Sequence, residues 1–148
     1  MNPFTSDIHE NFRQRVRKFA EEVIKPEARI LDQEERFSPE LTKKMGEQGL
    51  FGIAVPKKYG GQGLDYMSLV IAVEEIARVD GSQAATIAAV NSLGIGPIAK
   101  YGTKEQKQKY LPPLTSGDKI WAFGLTERGA GSDSGSTTTT AKLEDGYW

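Results

Sequence analysis

Residues 65–93 read DYMSLVIAVEEIARVDGSQAATIAAVNSL, two apolar segments separated by Asp80-Gly81-Ser82. Asp65 stands where a helix N-cap is expected, and Asp80-Gly81-Ser82 breaks and re-caps the chain, so the pattern predicts helices over 65–79 and 83–93. Apolar residues lie on nearly all sides of both predicted helices instead of forming a single stripe. Such helices need cover from several directions, and we expect this pair at the centre of a helical fold.

Helices with one apolar face are predicted around this pair. An apolar stripe at helical spacing runs through residues 6–24, and Pro26 is expected to end or kink that helix. Its members are Ile8, Phe12, Val16, Phe19, Ala20, Val23 and Ile24. Shorter helices are predicted over 38–49 and over 104–111, the second ended by Pro112-Pro113, and the glycines of 60–63 predict a tight loop between them. The pattern over 6–111 therefore predicts a mainly α fold.

The periodicity changes after Gly117. Trp121, Phe123 and Leu125 alternate with smaller residues, which predicts a strand, and the β-branched run 137–143 predicts another. Asp145-Gly146 is a strong hairpin signal, yet the strand it should lead into is not in the sequence. We therefore expect the chain to be a truncated part of a longer protein.

Composition excludes several classes of function. The 148 residues carry 19 Lys and Arg against 20 Asp and Glu, a net charge of −1 that gives no electrostatic reason to bind nucleic acid. No cysteine is present, which rules out disulfide scaffolds and thiolate chemistry, and the single His9 leaves no pair of histidines for catalysis. Glu21-Glu22 and Glu74-Glu75 raise the idea of a helical di-metal site, but no Glu-x-x-His motif accompanies them, so no metal is expected.

The sequence pattern indicates neither a membrane-spanning segment nor a targeting signal. No run approaches the roughly 20 apolar residues of a membrane helix, so we expect no membrane insertion. The first residues have neither the basic-then-apolar layout of a secretory signal nor the acid-poor composition of a transit peptide. The expectation is a cytoplasmic protein.

The glycine-rich segment 122–133 reads AFGLTERGAGSD. Gly129 and Gly131 remove side-chain bulk, so backbone N–H groups can approach an anion, and the Ser132 hydroxyl adds a donor. A solvated turn remains the alternative from the residues alone. The spacing matches neither the dinucleotide fingerprint nor the P-loop.

Segment 123–133 resembles the flavin-binding signature of the acyl-CoA dehydrogenase family. Three further stretches resemble motifs of that family in the expected order: 55–64, 74–77 and 101–111. The similarity runs from about residue 7 to the end. It implies a mainly α fold, with an all-helical amino-terminal domain built as an up-down helical bundle over 1–118. Residues 119–148 are then expected to be the opening strands of a truncated middle β-domain.

The resemblance also implies site residues. FAD is the expected cofactor, with the flavin ring edged by Phe123, Leu125 and Thr126 and the pyrophosphate turn formed by Gly131 and Ser132. Ser132 also matches a position that contacts the CoA part of the substrate. Val90 and Leu93 lie on the helix that walls the acyl pocket in relatives, although ordinary helix packing explains them equally well. The family's catalytic base is a Glu of the carboxy-terminal domain, so no catalytic residue is assigned in this chain.

The implied activity is oxidation of an acyl-CoA thioester to the 2,3-enoyl-CoA, by removal of an α-proton and transfer of the β-hydrogen to flavin. An electron-transfer flavoprotein is the expected electron acceptor, and the full-length protein is expected to form a homotetramer or dimer. Acyl-CoA oxidases and nitroalkane oxidases share the resemblance and stay open as alternatives. A non-catalytic helical interaction module is the alternative outside the enzymes.

Overall fold

The computed structural model describes residues 5–147, and helices dominate that part of the chain. The α-helices, in chain order, are α1 Asp7–Phe19, α2 Lys25–Gln33, α3 Pro39–Glu47, α4 Tyr66–Ala77, α5 Gly81–Ala89, α6 Gly96–Tyr101 and α7 Lys104–Thr115. Short 3-10 turns occur at Lys57–Tyr59 and Ser134–Ser136. The prediction of a mainly helical fold is confirmed.

Helices α4 and α5 pack against each other, and α4 also packs against α1. Ile71, Ala72 and Ile76 of α4 and Ile87 of α5 are almost fully buried, which confirms the central position predicted for this pair. One side of α4 stays open, however, because Val70 is 60% exposed. The expected cover from several directions is therefore only partly supplied by residues 5–147.

Two π-helical turns join neighbouring α-helices, and each lies just before a proline. Ala20–Ile24 joins α1 to α2 ahead of Pro26, and Val90–Ile95 joins α5 to α6 ahead of Pro97. Proline lacks an N–H and its ring collides with the carbonyl four residues back, a conflict that a wider turn can relieve. In the first turn, the N–H of Lys25 bonds to the carbonyl of Ala20, five residues away. Helical backbone therefore continues through Pro26 and Pro97, each preceded by a π-helical turn.

The prediction that Pro112-Pro113 ends α7 is wrong, because the helix continues to Thr115. Leu111, Leu114 and Thr115 are buried in the described structure. Tertiary packing of an apolar face supplies most of a helix's stability in a protein, so it outweighs the two backbone hydrogen bonds that the prolines remove.

The strands predicted over 121–125 and 137–143 are absent from the described residues. Only isolated bridges occur in this region, Glu127 with Ala130 and Glu144 with Tyr147. A strand needs a neighbour to pair its N–H and C=O groups, and neither segment has one here. The Asp145-Gly146 turn does form, with φ of 50° and 84°, as a hairpin turn with two left-handed residues requires.

Candidate functional site

The segment that carries most of the predicted flavin-binding residues lies on the surface. Residues 121–126 are all exposed and belong to no helix or strand. Phe123 and Leu125 are 52% and 49% exposed, and together with Trp121 at 41% and Ile120 at 57% they form a run of exposed large apolar side chains in one segment. Grouped apolar side chains at a surface are typical of a binding site. Within the described structure, the hydroxyl of Thr126 has no hydrogen-bond partner, and a Cβ added at Gly124 would meet nothing within 4 Å. The segment is thus open to a planar, partly apolar ligand with hydrogen-bonding groups.

A tight turn follows this segment. Glu127 and Ala130 exchange two backbone hydrogen bonds of 3.0 Å and 3.2 Å, and Ala130 is buried. Beyond the turn, Gly131 and Ser132 are exposed, and an added Cβ at Gly131 would meet nothing within 4 Å. The two predicted pyrophosphate residues therefore leave room for a close approach of an anion to the backbone.

The Glu127 side chain ties the start of this turn to residues 138–139, a role that the sequence interpretation missed. Its carboxylate accepts hydrogen bonds from the backbone N–H of Thr138 and of Thr139, both at 2.8 Å, and from the Thr138 hydroxyl at 3.0 Å. The Thr139 side chain and the two backbone N–H groups lower the pKa of Glu127 to about 2. The carboxylate therefore stays charged at neutral pH and joins two loops eleven residues apart.

Val90 and Leu93, the predicted acyl-pocket residues, occupy different environments. Val90 is 9% exposed and packs in the hydrophobic core, whereas Leu93 is 45% exposed on the same π-helical turn. Leu93 is available to a ligand in the described structure, and Val90 has the surroundings of a packing residue. Their roles in substrate binding stay predictions.

Asn91, between those two residues, ties the turn to the loop over 50–55. Its Nδ2 donates to the carbonyl of Leu50 at 2.8 Å and to that of Ile87 at 2.9 Å. Its Oδ1 accepts from the N–H of Ile53 at 3.3 Å. One side chain thus satisfies three backbone groups and holds the helix that carries Leu93 against the irregular loop.

The acidic pair that suggested a metal site serves a different purpose. Glu75 is 1% exposed and accepts hydrogen bonds from Arg13, Arg17 and Arg78. These guanidinium groups, Arg17 first, lower the pKa of Glu75 to about 2 against the opposing effect of burial. Glu74 pairs with Arg13 at 2.6 Å. Glu74 and Glu75 therefore link α4 to α1 by ion pairs. Residues 5–147 contain no cluster of three metal-ligating side chains.

His9 bridges the starts of two helices. Its Nε2 lies 2.9 Å from a carboxylate oxygen of Asp65, and its Nδ1 accepts the N–H of Ser6 at 3.0 Å. Asp65 also accepts the N–H of Ser68, the capping bond predicted for α4, and with His9 this lowers the pKa of Asp65 to about 2. This geometry indicates that His9, the single histidine of the sequence, helps to cap the starts of α1 and α4.

No helix among the described residues has both the length and the apolar character needed to cross a bilayer.

Comparison with known proteins identifies the family. The model of the acyl-CoA dehydrogenase N-terminal domain matches residues 6–118. The short-chain specific acyl-CoA dehydrogenase of Clostridium acetobutylicum is 50% identical over 136 residues, which are 92% of this chain and 36% of that protein. The chain spans about a third of the length of the curated relatives it matches.

Solved structures agree with the family match. The acyl-CoA dehydrogenase complexed with FAD from Bacillus anthracis superposes with a TM-score of 0.89 at 39% identity, over 98% of this chain and 25% of that one. A chain in the structure of the electron transferring flavoprotein of Acidaminococcus fermentans gives a TM-score of 0.92 at 40% identity, over 98% of this chain and 38% of that one. Since the family model covers well over half of its residues, the chain belongs to the acyl-CoA dehydrogenase family.

Proposed function

We propose that this chain is the amino-terminal part of an FAD-dependent acyl-CoA dehydrogenase, with a helical domain over 1–118 and the start of a β-domain over 119–148. One observation carries the proposal. Residues 121–126 lie uncovered on the surface, with Phe123 and Leu125 half-exposed and the Thr126 hydroxyl unpaired, in a chain of this family. A flavin ring would cover those side chains and pair with that hydroxyl.

The residues at the site fit one edge of the cofactor. FAD, when bound, accepts the β-hydrogen of an acyl thioester as a hydride. Phe123 and Leu125 supply apolar contact to the ring, and Thr126 offers a hydroxyl donor. Gly131 and Ser132 sit where the backbone is open enough for a pyrophosphate, beside a turn that Glu127 ties to residues 138–139. Donors fixed in advance stabilise negative charge without reorganisation during the reaction.

The substrate is an acyl-CoA, with Leu93 contacting the acyl chain, Val90 supporting that helix from the core, and Ser132 contacting the CoA part. The name of the Clostridium relative supports a short acyl chain. The base that removes the α-proton comes from a part of the protein outside these 148 residues. The product is the 2,3-enoyl-CoA, as in the first oxidation of fatty acid β-oxidation.

The cellular setting is part of the same proposal. An electron-transfer flavoprotein takes the electrons from the reduced cofactor, and the structural likeness to a chain in the Acidaminococcus structure supports this acceptor. The whole protein works in the cytoplasm as a homo-oligomer, a tetramer or a dimer.

The test is turnover by the whole protein that contains this chain. It is incubated with butyryl-CoA and a dye that accepts electrons from flavin, and the enoyl-CoA is measured by chromatography. Enoyl-CoA formation that requires the dye and yields no peroxide in air supports a dehydrogenase. Peroxide formed in step with the product would instead identify an oxidase, and no product from any acyl-CoA would overturn the proposal.

A further inference from the structure

The Gly94–Trp121 contact joins the two parts of the proposed site. Gly94 lies in the π-helical turn that carries Leu93, and Trp121 stands two residues before Phe123. A Cβ built on Gly94 would lie 3.1 Å from Cβ and 3.4 Å from Cγ of Trp121. The 3.1 Å distance is shorter than an ordinary van der Waals contact, so a methyl group at position 94 would crowd Trp121. The indole therefore packs directly on the helix backbone at Gly94.

Another side of the indole faces open space. Trp121 lines a cleft of about 290 Å³ together with Pro97 and Ile98 of α6, and with Tyr110 of α7. It is less exposed, at 41%, than Phe123 at 52%. Through Gly94, one end of the 121–126 segment is seated on the helical part of the chain, while the residues that would meet the flavin remain open.

We propose that Gly94 and Trp121 act as positioning residues, which set where the flavin-binding segment lies relative to the helix that carries the acyl-contacting Leu93. This inference rests on the proposed function. A flavin at Phe123–Thr126 and an acyl chain at Leu93 must lie at a fixed separation for hydride transfer, and small misplacements are costly in such reactions. Gly94 lets the indole lie close to the helix and so sets this separation. Any larger residue at position 94 would push the indole, and the segment that follows it, away from the helix.

The experiment uses the whole protein with Gly94→Ala, Trp121→Ala and the double variant. Gly81→Ala is the matched control, because it lies in the first turn of α5 and an added Cβ there meets nothing within 4 Å. Each apoprotein is titrated with FAD to give a dissociation constant, and its thermal unfolding midpoint is measured. The flavin-loaded forms are then reduced anaerobically with saturating butyryl-CoA to give a reduction rate.

We expect each single variant to raise the FAD dissociation constant and slow flavin reduction by about three- to tenfold. The double variant should be no worse than the more affected single one, because both changes break the same contact. The unfolding midpoint of apo Gly94→Ala should match that of Gly81→Ala, which a purely structural role would not allow.

Three results would overturn the inference: an unchanged Gly94→Ala protein, effects that add in the double variant, or losses that follow a lowered unfolding midpoint. Failure of the proposed function is distinguishable, because the unaltered protein would then neither bind FAD nor be reduced by any acyl-CoA.

Discussion

Arg17 donates two hydrogen bonds to the buried carboxylate of Glu75, from Nε to Oε2 at 2.8 Å and from Nη2 to Oε1 at 2.9 Å. This paired geometry is the strongest form of the Arg–carboxylate interaction. The ion pair links α1 to α4, and so attaches an outer helix to the central pair of helices, α4 and α5. Arg13 and Arg78 complete the partners of the same carboxylate.

Removing the charge of Glu75 is expected to destabilise the fold. Glu75→Gln should lower the free energy of unfolding by about 3 kcal/mol, because the three guanidinium groups lose their shared counter-charge at a buried position. Urea unfolding, followed by circular dichroism at a chain concentration low enough that sedimentation shows a monomer, measures the loss. The neighbour Glu74 is 57% exposed, so Glu74→Gln serves as the control and should cost less than about 1 kcal/mol. Equal losses in the two variants would contradict the role of burial.

Acid should weaken the fold through the same carboxylate. The pKa of Glu75 is lowered from 4.5 to about 2, so the folded state holds its proton less tightly than the unfolded state. The stabilisation is therefore complete above pH 4.5 and is lost as the pH falls towards 2. Asp65, with its pKa also lowered to about 2, adds to the same trend. Unfolding midpoints at pH 7 and pH 3 should differ less in Glu75→Gln than in the unaltered chain, and an equal difference would count against this account.

Asn91 is expected to contribute more to the free energy of unfolding than its half-exposed position suggests. Asn91→Ala leaves the Ile53 N–H and the Leu50 carbonyl without their partner, at an expected cost of about 1–3 kcal/mol. Ser92→Ala is the control, since the Ser92 hydroxyl bonds only the Ala88 carbonyl on the exposed side, and it should stay within about 0.5 kcal/mol. Urea unfolding again provides the measurement. A cost for Asn91→Ala no larger than that of the control would show that the loop holds its place without this side chain.

Thr126→Val tests the predicted hydroxyl donor of the flavin site. The change keeps the β-branch and removes one hydrogen bond to a charged acceptor, so flavin binding in the whole protein should weaken by about 1.5–3 kcal/mol or flavin reduction should slow. Thr140→Val, outside the predicted site, controls for loss of a surface hydroxyl. Unchanged FAD affinity together with an unchanged reduction rate would refute the role of Thr126.

The 148-residue chain by itself should not retain FAD. It contains only one edge of the proposed cofactor site. Phe123 and Leu125 are uncovered, so we also expect self-association and binding of an apolar dye. Analytical ultracentrifugation and the visible spectrum of the purified chain check both points. A clean monomer with stoichiometric yellow flavin would contradict this expectation.

Local features of the helical part could be predicted from the sequence because they depend on neighbouring residues. The Asp65 cap and the tight loop at the glycines of 60–63 follow from short-range rules, and the structure confirms them. The apolar face of α1 is confirmed at Phe12, Val16 and Phe19, but Ile8, predicted to belong to it, is 65% exposed. The end of α7 could not be predicted in this way. Burial of Leu114 decides it, and burial depends on elements far along the chain.

The candidate site was predictable only in part, for a similar reason. The motif predicts a site in segment 123–133, but nothing local indicated that Glu127 would bond to Thr138 and Thr139. The contact between Trp121 and Gly94 joins residues 27 positions apart in the sequence, and no sequence periodicity predicts such a contact. The strands predicted over 121–125 from alternation and over 137–143 from β-branched residues have no pairing partner among the described residues. Such patterns belong to one segment, whereas a strand forms only by pairing with a second one.

The visible absorption spectrum of the whole protein, recorded anaerobically before and after addition of butyryl-CoA, tests the central claim most directly. The account predicts an oxidised flavin spectrum that bleaches on addition of the acyl-CoA, and a Thr126→Val protein that bleaches more slowly or carries less flavin. A purified protein that carries no flavin and takes up none when FAD is added would contradict it, as would a flavin spectrum that no acyl-CoA changes.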